Sequence, residues 1–405
     1  MVKINSKTAL IFSISFLFII PFVLFIGGTM PYLIFYILIF LFIIPFLHNY
    51  IAIKGIRGSV EIPNGALYKG DRININYELK NRSPFSIAYL EIHSDIARKL
   101  AGKDTTKVII PLEKKRRFFF NEEVVLSRRG YYEMEEIEIK IHDVFNFFTF
   151  TKNIKTNTSL LVYPETINLS TFEITANQQL GELQVRNSFY QDKNRISSLR
   201  DYREGDMVKS IHWKLTAKRD FPIVKEYENR VDTNVFIFLD NQDLYFENDV
   251  DRRMEDKIVD SALSVVNYCL KQNIFIALET QHKKRQIELS GQNTKDLKPF
   301  LELFARFKGN GALNTKSLLI SKIERLRDGR AFIIITPHLD KDMGAIGIEL
   351  KMKNSNPLFI VVTDKENNNG FIEPLIENRL KQEGIPLFIL DFKSNVKDVL
   401  EVSHG

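Results

Sequence analysis

Cysteine is nearly absent from this chain: of 405 residues only Cys269 carries a thiol. An intrachain disulfide is therefore excluded, and stability has to come from packing and hydrogen bonding. Such a chain suits a reducing compartment. No long Lys/Arg run exists, and the net charge is only +6. Nucleic acid is not expected as a partner, because a solvated, membrane-facing surface accounts for that balance. The seven histidines show no metal-ligand spacing. No nucleophile, base and orienting group form a recognisable set, so no enzyme activity and no cofactor are expected.

The most telling absence is local. Ala9 to Leu47 contains no charged side chain, and in hydrocarbon each charge would cost about 2.5–3.5 kcal/mol. The stretch exceeds the roughly 20 residues of one span. Gly27-Gly28-Thr29-Met30-Pro31 interrupts it with turn chemistry. The expectation for 1–57 is a transmembrane helical hairpin, with helices at about 8–27 and 31–52. Pro21 and Pro45 imply no more than kinks. Lys3 and Lys7 precede the first helix, and Lys54 and Arg57 follow the second. The positive-inside rule then predicts a multi-pass cell-membrane protein whose soluble domains lie in the cytoplasm. A cleaved signal peptide fits less well, since the apolar run is too long and no small-x-small site precedes a polar start.

Beyond residue 57 the period of the pattern changes. Ile73, Ile75, Tyr77 and Leu79 alternate with polar residues, the pattern of a half-buried strand. Further strands are expected at Ile87–His93, Lys107–Leu112, Arg117–Leu126 and Glu136–Ile141. With turns between them and no helices, 58–160 reads as an immunoglobulin-like β-sandwich. The aromatic cluster Asp143–Phe148 reads either as a docking patch or as rings closing the core, the usual fate of clustered aromatics.

From 232 to 405, apolar strands alternate with helices. Strands are expected at Val235–Leu239, Asn273–Leu278, Ala331–Thr336, Leu358–Val362 and Leu387–Leu390. Helices are expected near 251–271, 294–307 and 315–327. The first should bury Met254, Ile258, Ala262, Val265 and Cys269 on one face. Such alternation predicts an α/β doubly wound domain with a parallel sheet covered on both sides. Ligands on these sheets bind at the carboxyl ends of strands, where Asp240 lies.

Between the two, 161–231 is a linker with one dense segment, Leu199 to Arg219, which holds the single tryptophan, Trp213. Glu204-Gly205-Asp206 reads as a turn, with Asp206 the expected N-cap of a helix over about 207–218 that buries Ile211 and Leu215. Leu199-Arg200-Asp201-Tyr202-Arg203-Glu204-Gly205-Asp206, then Ile211-His212-Trp213-Lys214 and Ala217, resembles the signature of the domain of unknown function 58 (DUF58) family. Arg129-Gly130-Tyr131, the Asp143–Phe148 cluster and Val162-Tyr163-Pro164 also resemble family landmarks. Lys218 stands at the family's usual arginine, and Val144 and Asn146 stand where it has Pro and Gly. The resemblance implies a membrane-anchored protein with no established catalysis and a von Willebrand factor type A-like domain. It also implies association with MoxR-type AAA+ ATPases.

The chain offers two candidate sites. Arg200, Asp201, Tyr202, Gly205, Asp206, His212, Trp213 and Lys214 form either an ion-paired clasp between domains or a surface gripping a partner. A von Willebrand A-type domain, which the resemblance implies, can hold a divalent ion through Asp-x-Ser-x-Ser after its first strand, plus a Thr and an Asp from later loops. Here the positions read Asp240-Asn241-Gln242-Asp243-Leu244, a degenerate set in which Gln242 replaces the first hydroxyl, Leu244 offers no ligand, and Asp240, Gln242 and Asp243 are the candidate ligands. Its bland reading is Asp240 capping the next loop. Gly309-Asn310-Gly311 through Lys316-Ser317 imitates a phosphate loop, but lacks the glycine before lysine and the preceding strand. The expected function is a membrane-anchored, cytoplasm-facing protein-interaction module, partnered by the lipid bilayer, a MoxR-type AAA+ ATPase and other membrane proteins. The alternative is a divalent-ion-dependent ligand-binding protein using the variant site at Asp240.

Overall fold

The computed structural model describes residues 2–63, 65–172, 190–203, 211–217, 221–230, 235–324 and 330–401. The chain forms two compact units, Met1–Glu165 and Thr166–Gly405.

The first unit opens with a short strand β1 (Val2–Ile4), then helices α1 (Ser6–Ile26) and α2 (Thr29–Gly55). Both helices start about two residues before their expected first residues, and α2 ends about three later. The break falls where it was expected: Gly27 and Gly28 take φ of 65° and 89°, a region that disfavours side chains. Pro21 and Pro45 lie inside the helices. Phe16 of α1 meets Phe35 of α2 edge-on at 6.1 Å. The helix α2 is long and apolar enough to cross a membrane.

The chain then builds β2 (Ile56–Glu61), β3 (Leu67–Tyr68), β4 (Arg72–Asn81), β5 (Ile87–Ser94), α3 (Ile96–Ala101), β6 (Thr106–Leu112), β7 (Arg117–Val125), β8 (Gly130–His142) and β9 (Phe148–Tyr163). One sheet has the order β2-β4-β7, and the other β1-β9-β8-β5-β6 with β3 added beside β9. Ile73, Ile75, Tyr77 and Leu79 of β4 share a buried core with Ile137, Ile139 and Ile141 of β8. Period two therefore placed the inward faces correctly. The short helix α3 departs from the helix-free expectation. It ends where Gly102 adopts a left-handed conformation and donates to the Arg98 carbonyl. Strand β9 continues to Tyr163, past the expected sandwich edge at 160.

The end of α2 is built into this sandwich. Ala52 and Ile53 belong to its core. The Phe42 and Phe46 rings lie 4.7 and 5.2 Å from Phe148. Lys152 Nζ donates to the carbonyls of Ile53, Lys54 and Ile56 at 3.3, 3.4 and 2.7 Å. It thus satisfies carbonyls that a helix end leaves open, with a cation at the negative pole. A Cβ on Gly55 would come within 2.6 Å of the Ser83 backbone nitrogen, so this joint needs glycine.

In the second unit, β10 (Tyr190–Asp201), the single turn α4 (Trp213–Thr216) and β11 (Ile223–Arg230) make a two-stranded ribbon with a helical appendage. Next come β12 (Val235–Leu239), α5 (Arg253–Lys271), β13 (Ile276–His282), β14 (Arg285–Gly291), α6 (Leu297–Arg306), α7 (Thr315–Ile323), β15 (Ala331–Thr336) and β16 (His338–Leu339). The unit closes with α8 (Lys341–Met352), β17 (Asn356–Thr363), β18 (Phe371–Ile372), α9 (Pro374–Gln382), β19 (Leu387–Asp391) and α10 (Val396–Leu400). The main sheet has the order β14-β13-β12-β15-β17-β19. All its pairings are parallel except β13 with β14. The doubly wound expectation is met, with an antiparallel edge that was not foreseen. All five residues of β12 are buried, as a sheet covered on both faces requires. Met254, Ile258, Ala262, Val265 and Cys269 are buried together on α5.

Candidate functional site

The sheet reverses its order of construction between β12 and β15, and at the carboxyl ends of those strands stands Asp240. It is fully buried. Its Oδ1 accepts from the Thr315 hydroxyl at 2.6 Å and from the Gln242 amide at 3.1 Å. Its Oδ2 accepts from the Thr336 hydroxyl at 2.7 Å. Thr336 ends β15, and Thr315 begins α7. One carboxylate therefore ties together three segments that meet at the switch point. Burial raises its pKa, and the two hydroxyls and the amide offset that only in part.

The divalent-ion arrangement does not fit these residues. Both Asp240 oxygens already serve protein donors. Gln242 Oε1 accepts from the Thr315 amide at 3.1 Å. Asp243 Oδ1 accepts from the amide of Leu244 at 2.8 Å, and Leu244 offers hydrocarbon. Each of the three side chains is thus committed to the protein's own donors. The loop-capping reading of Asp240 holds through Gln242, while the threonines add a role that spacing could not show.

Beside this hub lies a cavity of about 390 Å³ whose wall includes Tyr245, Asn248, His338, Asn369 and Phe371. His338 is sandwiched between Tyr245 at 4.6 Å and Phe371 at 5.0 Å. Burial lowers the imidazole pKa in spite of the nearby Asp340 carboxylate, and this lowering favours the neutral ring. Lys316 Nζ lies 2.6 Å from Asp340 and 2.9 Å from Asp342. Although burial opposes both charges, this pairing raises the lysine and lowers Asp340. The lysine of the phosphate-loop imitation is thus held by two carboxylates. Asn314 caps its helix by accepting from the Ser317 amide at 3.0 Å. Tyr245, Thr336, His338 and Asp340 were not singled out from sequence, and Thr315 and Lys316 entered only as part of the phosphate-loop imitation. The only available hint was their position after strand ends.

A larger groove of about 670 Å³ runs along α2 between Gly28 and Phe40. Its wall is mostly hydrocarbon, the surface of an apolar helix rather than a place for chemistry.

The signature segment is arranged differently. Arg200↔Val224 and Asp201↔Ile223 are paired across the ribbon. The Tyr202 amide donates to the Pro222 carbonyl at 2.9 Å, and the His212 amide to the Ile223 carbonyl at 2.8 Å. Ile211 bridges Val224. Three pieces, 199–203, 211–216 and 221–224, are thereby held at strand spacing. The expected helix over 207–218 is corrected: within the described residues it is the single turn α4. His212, not Asp206, caps that turn, its Nδ1 accepting from the Leu215 amide at 3.2 Å. Ile211 is spent on the strand bridge, so it cannot join Leu215 in a helical stripe. Arg200 Nη1 donates to the Asp201 carbonyl at 3.1 Å. Trp213 is 64% exposed, and Leu199, Tyr202, Lys214 and Phe221 are exposed with it. Gly205 and Asp206 lie outside the described residues.

The model of the family "Protein of unknown function DUF58" matches residues 198–286, from the ribbon into β14. An uncharacterised protein of Bacillus subtilis (strain 168), YeaD, is 21% identical over 275 residues, covering 66% of this chain and 67% of the relative. Among solved structures, a von Willebrand factor type A protein from Catenulispora acidiphila is 14% identical, covers 44% of this chain and 42% of its own, and has a TM-score of 0.31. A CARDB domain from Pyrococcus furiosus is 11% identical, covers 25% of this chain and 93% of its own, and has a TM-score of 0.18. Both structural likenesses are partial, and the fold rests on the strand order. The resemblance first carried by the Arg200–Lys214 segment is thus shown: the chain is similar to the DUF58 family there, within a unit built on a mostly parallel sheet.

Proposed function

We propose that this is a membrane-anchored protein-interaction module. On this reading α1 and α2 form a transmembrane hairpin, the folded units face the cytoplasm, and the signature ribbon receives a protein partner. The observation that carries it is the exposure of Trp213 among Leu199, Tyr202 and Phe221, with Arg200 on the same ribbon. Tryptophan, tyrosine and arginine supply most binding hot spots, and a monomer gains nothing by leaving such a cluster wet. Lys3 and Lys7 around the start of α1, and Lys54 and Arg57 around the end of α2, bracket the apolar stretch and support the cytoplasmic orientation. The partner class proposed is a MoxR-type AAA+ ATPase, as the family resemblance implies.

The test is crosslinking and pull-down from membranes with the full chain and Trp213→Ala. The variant is expected to lose its principal partner while its stability stays within about 0.5 kcal/mol of the parent, as for an exposed side chain. An unchanged partner set would show the ribbon to be internal architecture only. Protease added outside intact cells should leave both units uncut, and digestion there would reverse the proposed orientation.

A further inference from the structure

Resting on the membrane reading above, we infer that the turn between β8 and β9, residues 143–147, is itself seated in the lipid headgroup layer, so that the sandwich touches the bilayer directly. The turn is tied to both apolar helices. The Asn5 amide, one residue before α1 begins, donates to the Phe147 carbonyl at 3.0 Å. Phe42, on α2, lies 6.3 Å from Phe147 and 4.7 Å from Phe148. Wherever those helices enter lipid, this turn is at their entrance.

Its surface suits that place. Val144 is 83% exposed and Phe145 47% exposed. The Phe145 ring stacks on Phe147 at 5.3 Å, which carries the apolar surface without a gap to α2. In water such a tip is a liability. At a membrane interface, aromatic residues are favoured.

The backbone is adapted as well. A chain entering a low-dielectric layer must meet its polar groups from within. Buried Asp143 does this for the turn: Oδ1 accepts from the Phe145 amide at 2.8 Å and Oδ2 from the Phe148 amide at 2.6 Å. Its carbonyl accepts from the Asn146 amide at 2.9 Å. Asn146 takes the left-handed φ of 57° that closes so tight a turn. Lys3, paired across from Thr149, supplies positive charge beside the tip for anionic headgroups. A protein could cover the same rings. Lipid is the occupant the geometry favours, because the apolar surface is continuous with helices whose own surroundings are lipid.

The test uses the full chain with Trp213→Phe, reconstituted into phosphatidylcholine–phosphatidylglycerol vesicles whose acyl chains are brominated near the headgroup. Phe145→Trp in that background is expected to be quenched by the bromines, and Val144→Trp should behave alike if the first variant folds poorly. Tyr36→Trp on α2 reports the span itself. Quenching at Tyr36→Trp without quenching at either tip position would overturn this inference and leave the membrane reading intact. A tip tryptophan that is blue-shifted but unquenched is covered by protein and overturns it equally. No quenching at Tyr36→Trp would bring down the membrane reading and this inference with it.

Discussion

Glu91 of the sandwich and Asp240 of the α/β sheet are both buried carboxylates, and their surroundings differ in kind. Glu91 meets basic side chains. Lys107 pairs with it, and the Nε2 atoms of His93 and His142 each lie 3.0 Å from one of its oxygens. Burial alone would raise its pKa, but these partners pull it down to about 2. Asp240 meets only hydroxyls and an amide, and burial wins. The first group is a charge held at a sheet surface. The second is a neutral-donor hub inside the fold, whose loss disorganises strand ends rather than a charge balance. A carboxylate engaged in that way is structural, which directs attention for function away from Asp240 and toward the exposed ribbon.

The largest effect that would break this contrast is at Asp240. Asp240→Ala leaves the Thr315 and Thr336 hydroxyls and the Gln242 amide without their acceptor, at a cost of roughly 3–5 kcal/mol. Thermal unfolding of the full chain in detergent should show the loss, and amide exchange should place it at the ends of β12 and β15. A change under about 1 kcal/mol would mean the hub is dispensable.

Acid should single out the sandwich. A carboxylate whose folded pKa is depressed contributes stability that is complete above its unfolded value and lost as pH falls through the folded one. For Glu91 that window runs from the ordinary 4.5 down to about 2, and the gap corresponds to about 3 kcal/mol. Glu91→Gln should flatten that limb of the pH–stability curve. Asp240 has the opposite sign, its contribution falling as pH rises through its raised value, so it cannot produce the same loss. An acid limb unchanged by Glu91→Gln would assign the sensitivity elsewhere.

The smallest expected effect concerns magnesium. With both Asp240 oxygens engaged by threonines, millimolar Mg²⁺ should leave the melting temperature unmoved, and calorimetric titration should show no saturable heat. Saturable binding abolished by Asp240→Ala would revive the divalent-ion alternative.

How much of the fold and of the hub was legible depended on range. Ala331–Thr336 was placed to the residue, since an unbroken apolar run bounded by polar residues has one reading in an α/β chain. The faces of β4 and α5 followed from period two and period 3.6. Strand β14 carries Ile287 and Leu289 in alternation, a signal that was present and overlooked beside Lys283-Lys284-Arg285. Thr315 and Thr336 lie 75 and 96 residues from Asp240, and no local pattern links such distances. The expected helix at 207–218 was defeated by a non-local competitor, the pairing of Ile211 with Val224, which local propensity cannot weigh.

The capping of α2 by Lys152 has a mechanical consequence. With three carbonyls gripped by one ammonium and Gly55 seated against Ser83, no swivel remains where the rod enters the globule. Any lean of α2 in a bilayer must turn the whole sandwich through the same angle, so the thickness of the lipid would set the direction in which that body faces.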